Sequence, residues 1–94
     1  MYKITYKQEA VLDLEQLRAF THVQIVDTID KYLRRDPLKM IGEKKKRIPL
    51  LTGDFVYQLR IGEFRVFYDV ESDERVVIIR HVRHKGRKTT GEIL

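Results

Sequence analysis

Nineteen Lys and Arg against fourteen Asp and Glu give this 94-residue chain a formal charge of +5 at pH 7, with 43% hydrophobic residues and no cysteine. A chain of this length holds one domain, residues 1–94, around one small core, which excludes a two-domain enzyme. Without cysteine, disulfide frameworks, thiolate zinc sites and Cys nucleophiles are excluded together.

The opening MYKITYKQEA has no apolar stretch of signal-peptide length, and no segment approaches the roughly 20 apolar residues of a membrane span. The expectation is a cytoplasmic protein with no membrane partner. Residues 1–43 carry seven basic and seven acidic side chains, and residues 44–94 carry twelve and seven, so the whole excess lies in the second half. A positive field of that kind attracts polyanions, nucleic acid first among them.

Tyr2, Ile4 and Tyr6 alternate with Lys3 and Thr5, which predicts a strand over about residues 2–7. From Gln8 the period becomes helical through Val11, Leu14 and Leu17, with Glu9, Asp13 and Glu15 early, so a first helix is expected to about Phe20. Thr21 is a candidate N-cap for a second helix through Val26, Ile29 and Leu33, ended by Asp36-Pro37. After the connector and KKKRIPLL come three strand-like runs, Phe55–Ile61, Phe64–Val70 and Val76–Val82. Gly62-Glu63 predicts a tight hairpin that sets Ile61 against Phe64, Leu59 against Val66, Tyr57 against Tyr68 and Phe55 against Val70. A Ser72-Asp73 turn sets Tyr68 against Val77, Val66 against Ile79, Phe67 against Ile78 and Arg65 against Arg80. The fold class is α+β: an N-terminal strand, a helical hairpin, then an antiparallel meander of three or four strands with the helices on one face.

In that register Arg60, Arg65 and Arg80 share the uncovered face, with His84 continuing it. Like charges directly across a strand pair repel, so such a row calls for water, carboxylates or a bound anion. Solvated Arg stems over Phe67 are one reading, and a phosphate-binding groove is the other, since the guanidinium fork fits phosphate and stays charged. Lys44, Lys45, Lys46 and Arg47 precede the meander, and Arg87 belongs to a basic tail cluster. His81 and His84 fall on opposite faces of one strand and His22 sits in the helical hairpin, so no metal or other cofactor is expected. There is no phosphate-binding Gly loop, Ser nucleophile motif or paired-carboxylate constellation. Arg, Lys and His alone are compatible with RNA cleavage in which the substrate's own 2′-hydroxyl attacks.

The segment Tyr57-Gln58-Leu59-Arg60-Ile61-Gly62-Glu63-Phe64-Arg65-Val66-Phe67-Tyr68-Asp69-Val70, followed by a Val/Ile-rich strand and Arg83-His84-Lys85, resembles the RelE/ParE toxin superfamily of bacterial toxin–antitoxin modules. The resemblance extends over nearly the whole chain. It implies cleavage of mRNA on the ribosome, as in the RelE branch, or inhibition of DNA gyrase, as in the ParE branch; an inactive binding module of the same fold is a third outcome. On the nuclease branch the resemblance makes Arg65, His84 and Lys85 the catalytic candidates. Lys44, Lys45, Lys46, Arg47, Arg60, Arg80 and Arg87 become RNA contacts. The partners implied are a cognate antitoxin, the ribosome and mRNA, with DNA reached only through an antitoxin complex. Two positions depart from the pattern: Gln58 stands where the family often has a basic residue, and no aromatic follows Gly86. The general base and acid are therefore left open between His84 and Lys85.

Overall fold

Tyr2, Ile4 and Tyr6 pack against the core, as their alternation predicts. Their strand, β1 (Lys3–Tyr6), is the first of seven elements in a computed structural model that describes residues 1–86. Then follow α1 (Gln8–Glu15), α2 (Ala19–Leu33), β2 (Lys45–Pro49), β3 (Phe55–Ile61), β4 (Phe64–Glu71) and β5 (Val76–His84). Five strands form one sheet in the order β1-β5-β4-β3-β2. β1 lies parallel to β5, from Lys3 opposite Val76 to Tyr6 opposite Ile79, and every other pairing is antiparallel. The expected α+β layout is present. The basic tail, Arg87 included, lies outside the described residues.

The helices break earlier than the periodicity predicts. α1 stops at Glu15, where Gln16 and Leu17 bond back to Asp13 and Leu14 in a tight turn. α2 starts at Ala19 behind Arg18, so Thr21 lies inside the helix rather than capping it. Early reversal lets both helices cover one sheet face: Ala10 and Leu14 of α1 and Ile25, Ile29 and Leu33 of α2 are all buried with Leu59, Val66, Tyr68, Val77, Ile79 and Val82. Phe20, at the turn, is left 79% exposed.

The connector after α2 is pinned by two buried polar side chains. Tyr68 donates its hydroxyl to Pro37 O at 2.9 Å. Lys45 donates its ammonium to Tyr32 O and Asp36 O, at 3.0 and 2.6 Å. The KKKRIP run is therefore an edge strand against β3, with Lys46 opposite Gln58 and Ile48 opposite Val56. A basic run reads as a solvated loop in one dimension; here Lys45 is buried while Arg47 and Pro49 stay exposed.

The β3–β4 register is the one Gly62-Glu63 predicts, from Ile61–Phe64 to Tyr57–Tyr68, with Gly62 at φ 57°. Phe55 pairs instead with Pro49 of β2. The β4–β5 register differs from expectation. The turn runs through Glu74 and Arg75, the latter at φ 54°, so Tyr68 faces Ile79, two residues beyond Val77. A bulge at Phe67/Tyr68 then adds one more, placing Phe67 opposite His81, Val66 opposite Val82 and Arg65 opposite Arg83.

Candidate functional site

The sheet face away from the helices carries Lys46, Arg60, Arg65 and Arg80, and its chemistry concentrates at the tip of the β3–β4 hairpin. Arg60 lies directly opposite Arg65. Arg65 is only 8% exposed, and its Nη1 donates to Gly62 O at 2.8 Å and Phe64 O at 2.9 Å. Carbonyls orient the guanidinium without cancelling its charge. Burial, and next the positive charge of Arg60, hold its pKa below the usual arginine value, with Glu63 opposing. Lys85 joins the tip through its backbone N–H, which donates to Glu63 O at 2.8 Å. Among the described residues Arg60, Arg65 and Lys85 form no ion pair with a carboxylate.

Glu43, which the sequence did not single out, approaches this cluster from the turn before β2. Gly42 takes φ 47° there, Ile41 bridges Lys45, and Lys44 O accepts the Arg60 backbone N–H at 2.7 Å. Glu43 accepts a hydrogen bond from Lys46 at 3.0 Å. Its pKa is lowered by that bond first, then by the charge of Lys46, with smaller contributions from Arg60 and Lys85. The only signal for it in the sequence is its spacing, three residues before Lys46.

Several expected members are placed elsewhere. Arg80 does not face Arg65; the longer turn and the bulge move it along β5, where it pairs with Asp69 at 3.5 Å. Arg83 takes the position opposite Arg65, but its guanidinium is bound to Asp13 of α1 at 2.9 Å and lies 3.1 Å from His81 Nδ1. The same bulge puts His84 opposite Phe64 on the helix side, its ring edge-on to Phe64 at 5.2 Å, beside a cavity lined by Thr21, Gln24 and Ile25 of α2. Lys45, 1% exposed and bonded to two carbonyls, is withdrawn from the RNA-contact set. Lys44 stays on the surface with its ammonium 4.8 Å from the Tyr32 ring centre, and Arg47 lies 4.7 Å over Phe55. Gln58 is buried under this face at 2% exposure, its carbonyl oxygen without a hydrogen-bond partner among the described residues.

A strand, a helical hairpin and a four-stranded meander carrying an orientated arginine at a hairpin tip define a small basic α+β domain. Over residues 4–89 the chain matches the family described as ParE toxin of type II toxin–antitoxin system, parDE, and it belongs to the RelE/ParE superfamily of toxins. It is 46% identical over 46 residues to a curated protein of Methanocaldococcus jannaschii named "Putative toxin RelE1", and that match covers 48% of this chain and about half, 51%, of the relative. In fold it is similar to the RelBE2 toxin–antitoxin complex of Mycobacterium tuberculosis, with TM-score 0.74, 23% identity, and coverage of 88% of this chain and 96% of that one. It is likewise similar to the archaeal RelE–RelB complex of Pyrococcus horikoshii, with TM-score 0.72, 24% identity, and coverage of 92% and 97%. The isolated E. coli RelE toxin gives TM-score 0.71 at 17% identity, covering 98% of this chain and 93% of that one.

Proposed function

We propose that this toxin is a ribosome-dependent mRNA endoribonuclease, held inactive by a cognate antitoxin. The observation that carries the reading is Arg65, a guanidinium fixed by two turn carbonyls, with Arg60 across the strand pair and, among the described residues, no carboxylate bonded to either. Pre-orientated charge of this kind stabilises the extra negative charge of a pentacoordinate phosphate. In the reaction the 2′-oxygen attacks the adjacent phosphorus as it gives up its proton, the P–O5′ bond breaks, and the leaving 5′-oxygen is protonated. Lys85, bonded through its backbone N–H to Glu63 O at the tip and close enough for its charge to act on Glu43, is better placed to move a proton than His84, which lies on the helix side against Phe64. Arg60 and Lys46 would bind RNA backbone on this face, and Lys44, over Tyr32 of α2, and Arg47, opposite Tyr57, would reach it only from the helix side of the sheet edge. The solved RelE–RelB complexes among the structural neighbours support an antitoxin as partner.

Inducing the chain in a bacterium and mapping mRNA 5′ ends tests the reading directly. New cleavage ends inside translated frames are expected, and Arg65→Ala should remove them with a rate loss of about 10²–10³-fold while RNA affinity changes little. Cleavage by Arg65→Ala at the wild-type rate would show the assignment to be wrong. The family match, described as ParE, favours gyrase inhibition as the second reading. A DNA-damage response with intact mRNA would select it.

A further inference from the structure

We infer that Glu43 is a specificity-determining residue that keeps free RNA off the basic site, restricting the toxin to a strand presented by the ribosome. The inference rests on the ribonuclease reading above. Its basis is the distribution of carboxylates over the basic face. Asp69 holds Arg80 and Asp13 holds Arg83, both away from the hairpin tip. Glu43 alone, among the described residues, is an acid bonded to a cation of the proposed RNA-binding set that borders the tip, at 3.0 Å from Lys46 Nζ.

The chain positions that carboxylate by backbone geometry. The Ile41–Lys45 bridge closes a turn on Gly42, and the bond from Arg60 N–H to Lys44 O fixes the turn beside Arg60. Glu43 is thus an exposed anion already bonded to the ammonium that a phosphate would otherwise take, and it is ionised at neutral pH like any surface glutamate. A diffusing RNA must displace it, and the net positive field that would attract the RNA is weakened at the point of contact. A strand already positioned by the ribosome competes at far higher local concentration, so the same carboxylate costs it little.

The test compares wild type, Glu43→Gln and Glu74→Gln on a single-stranded RNA made uncleavable by 2′-O-methylation. Glu74 is exposed in the β4–β5 turn, at the other end of the sheet, and its substitution makes the same change in net charge. Glu43→Gln should bind at least about fivefold tighter at low salt, and its salt slope should steepen by about 0.7 as Lys46 gains a phosphate. Glu74→Gln should change affinity less than about twofold. Glu43→Gln should also cut ribosome-bound mRNA at least as fast as wild type and begin to cut the unmethylated RNA free in solution. If Glu43→Gln binds no tighter than Glu74→Gln while wild type cuts on the ribosome, this inference alone fails. Loss of ribosomal cleavage in Glu43→Gln overturns it too, making Glu43 a proton acceptor instead. If wild type cuts no ribosome-bound mRNA, the ribonuclease reading fails and the inference with it.

Discussion

Of the four consecutive cations from Lys44 to Arg47, one belongs to the interior, and its chemistry differs from that of its neighbours. Lys45 ties the end of α2 to the edge strand through two carbonyls. Lys45→Ala removes the buried stem and leaves both carbonyls without this donor. It should destabilise the fold by about 2–4 kcal/mol in urea titrations, whereas Lys44→Ala should stay within about 0.5 kcal/mol. His81 supplies a second residue-level expectation. Its Nδ1 lies 3.1 Å from Arg83 Nη2, which suits a neutral ring accepting that proton. Burial first, then Arg83, lower its pKa, with Asp13 opposing, and Arg80 and Glu9 adding smaller effects of opposite sign. A depressed folded-state pKa means the unfolded chain takes up the proton first as pH falls. The stability present above the ordinary histidine value of about 6.5 should therefore decline as pH falls through the folded value, and His81→Gln should flatten that decline in urea midpoints.

At the level of elements, α1 does more than cover the sheet. β1 ends opposite Ile79, so the later part of β5 has no strand beside it there, and the Asp13 carboxylate accepts the Val82 N–H at 2.9 Å as well as holding Arg83. Asp13→Ala should cost about 1–3 kcal/mol, and amide exchange at Val82 should accelerate more than exchange in β3. The sequence made the β3–β4 hairpin legible because Gly62 fixes the turn and apolar residues then match across it. That is why Arg60 against Arg65 could be read in advance. The β4–β5 register was not legible. A four-residue turn through Arg75 and a bulge leave no composition signal, and the Val76 to Ile79 run tolerates either parity. Two site expectations turned on that: Arg80 stayed on the Arg65 face but moved along it to Asp69, and His84 left that face, while Arg83, not among the candidates, arrived opposite Arg65. β2 was hidden for another reason, since its buried member is a lysine rather than an apolar residue.

Taken whole, the molecule is less basic toward RNA than its formal charge suggests, because Asp13, Asp69 and Glu43 each engage a cation of the sheet. Arg60, Arg65 and Lys85 form no such pair among the described residues, while Lys44 and Arg47 rest on aromatic rings and keep their charge. Three to five phosphate contacts give an expected slope of log affinity against log salt between about −2 and −3.5 for single-stranded RNA. Fluorescence anisotropy across a salt series measures it. A slope near zero would contradict RNA binding by this face and favour a protein target.

The parallel pairing of β1 with β5 sets the order in which this domain can assemble. Lys3 waits for Val76, and Tyr6 for Ile79, so the first strand has no neighbour in the sheet until residues 76–79 have been translated. Lys85 comes later still. The hairpin tip can therefore form on the nascent chain before the sheet closes on its first strand, and the two should separate in a folding experiment on progressively longer chains.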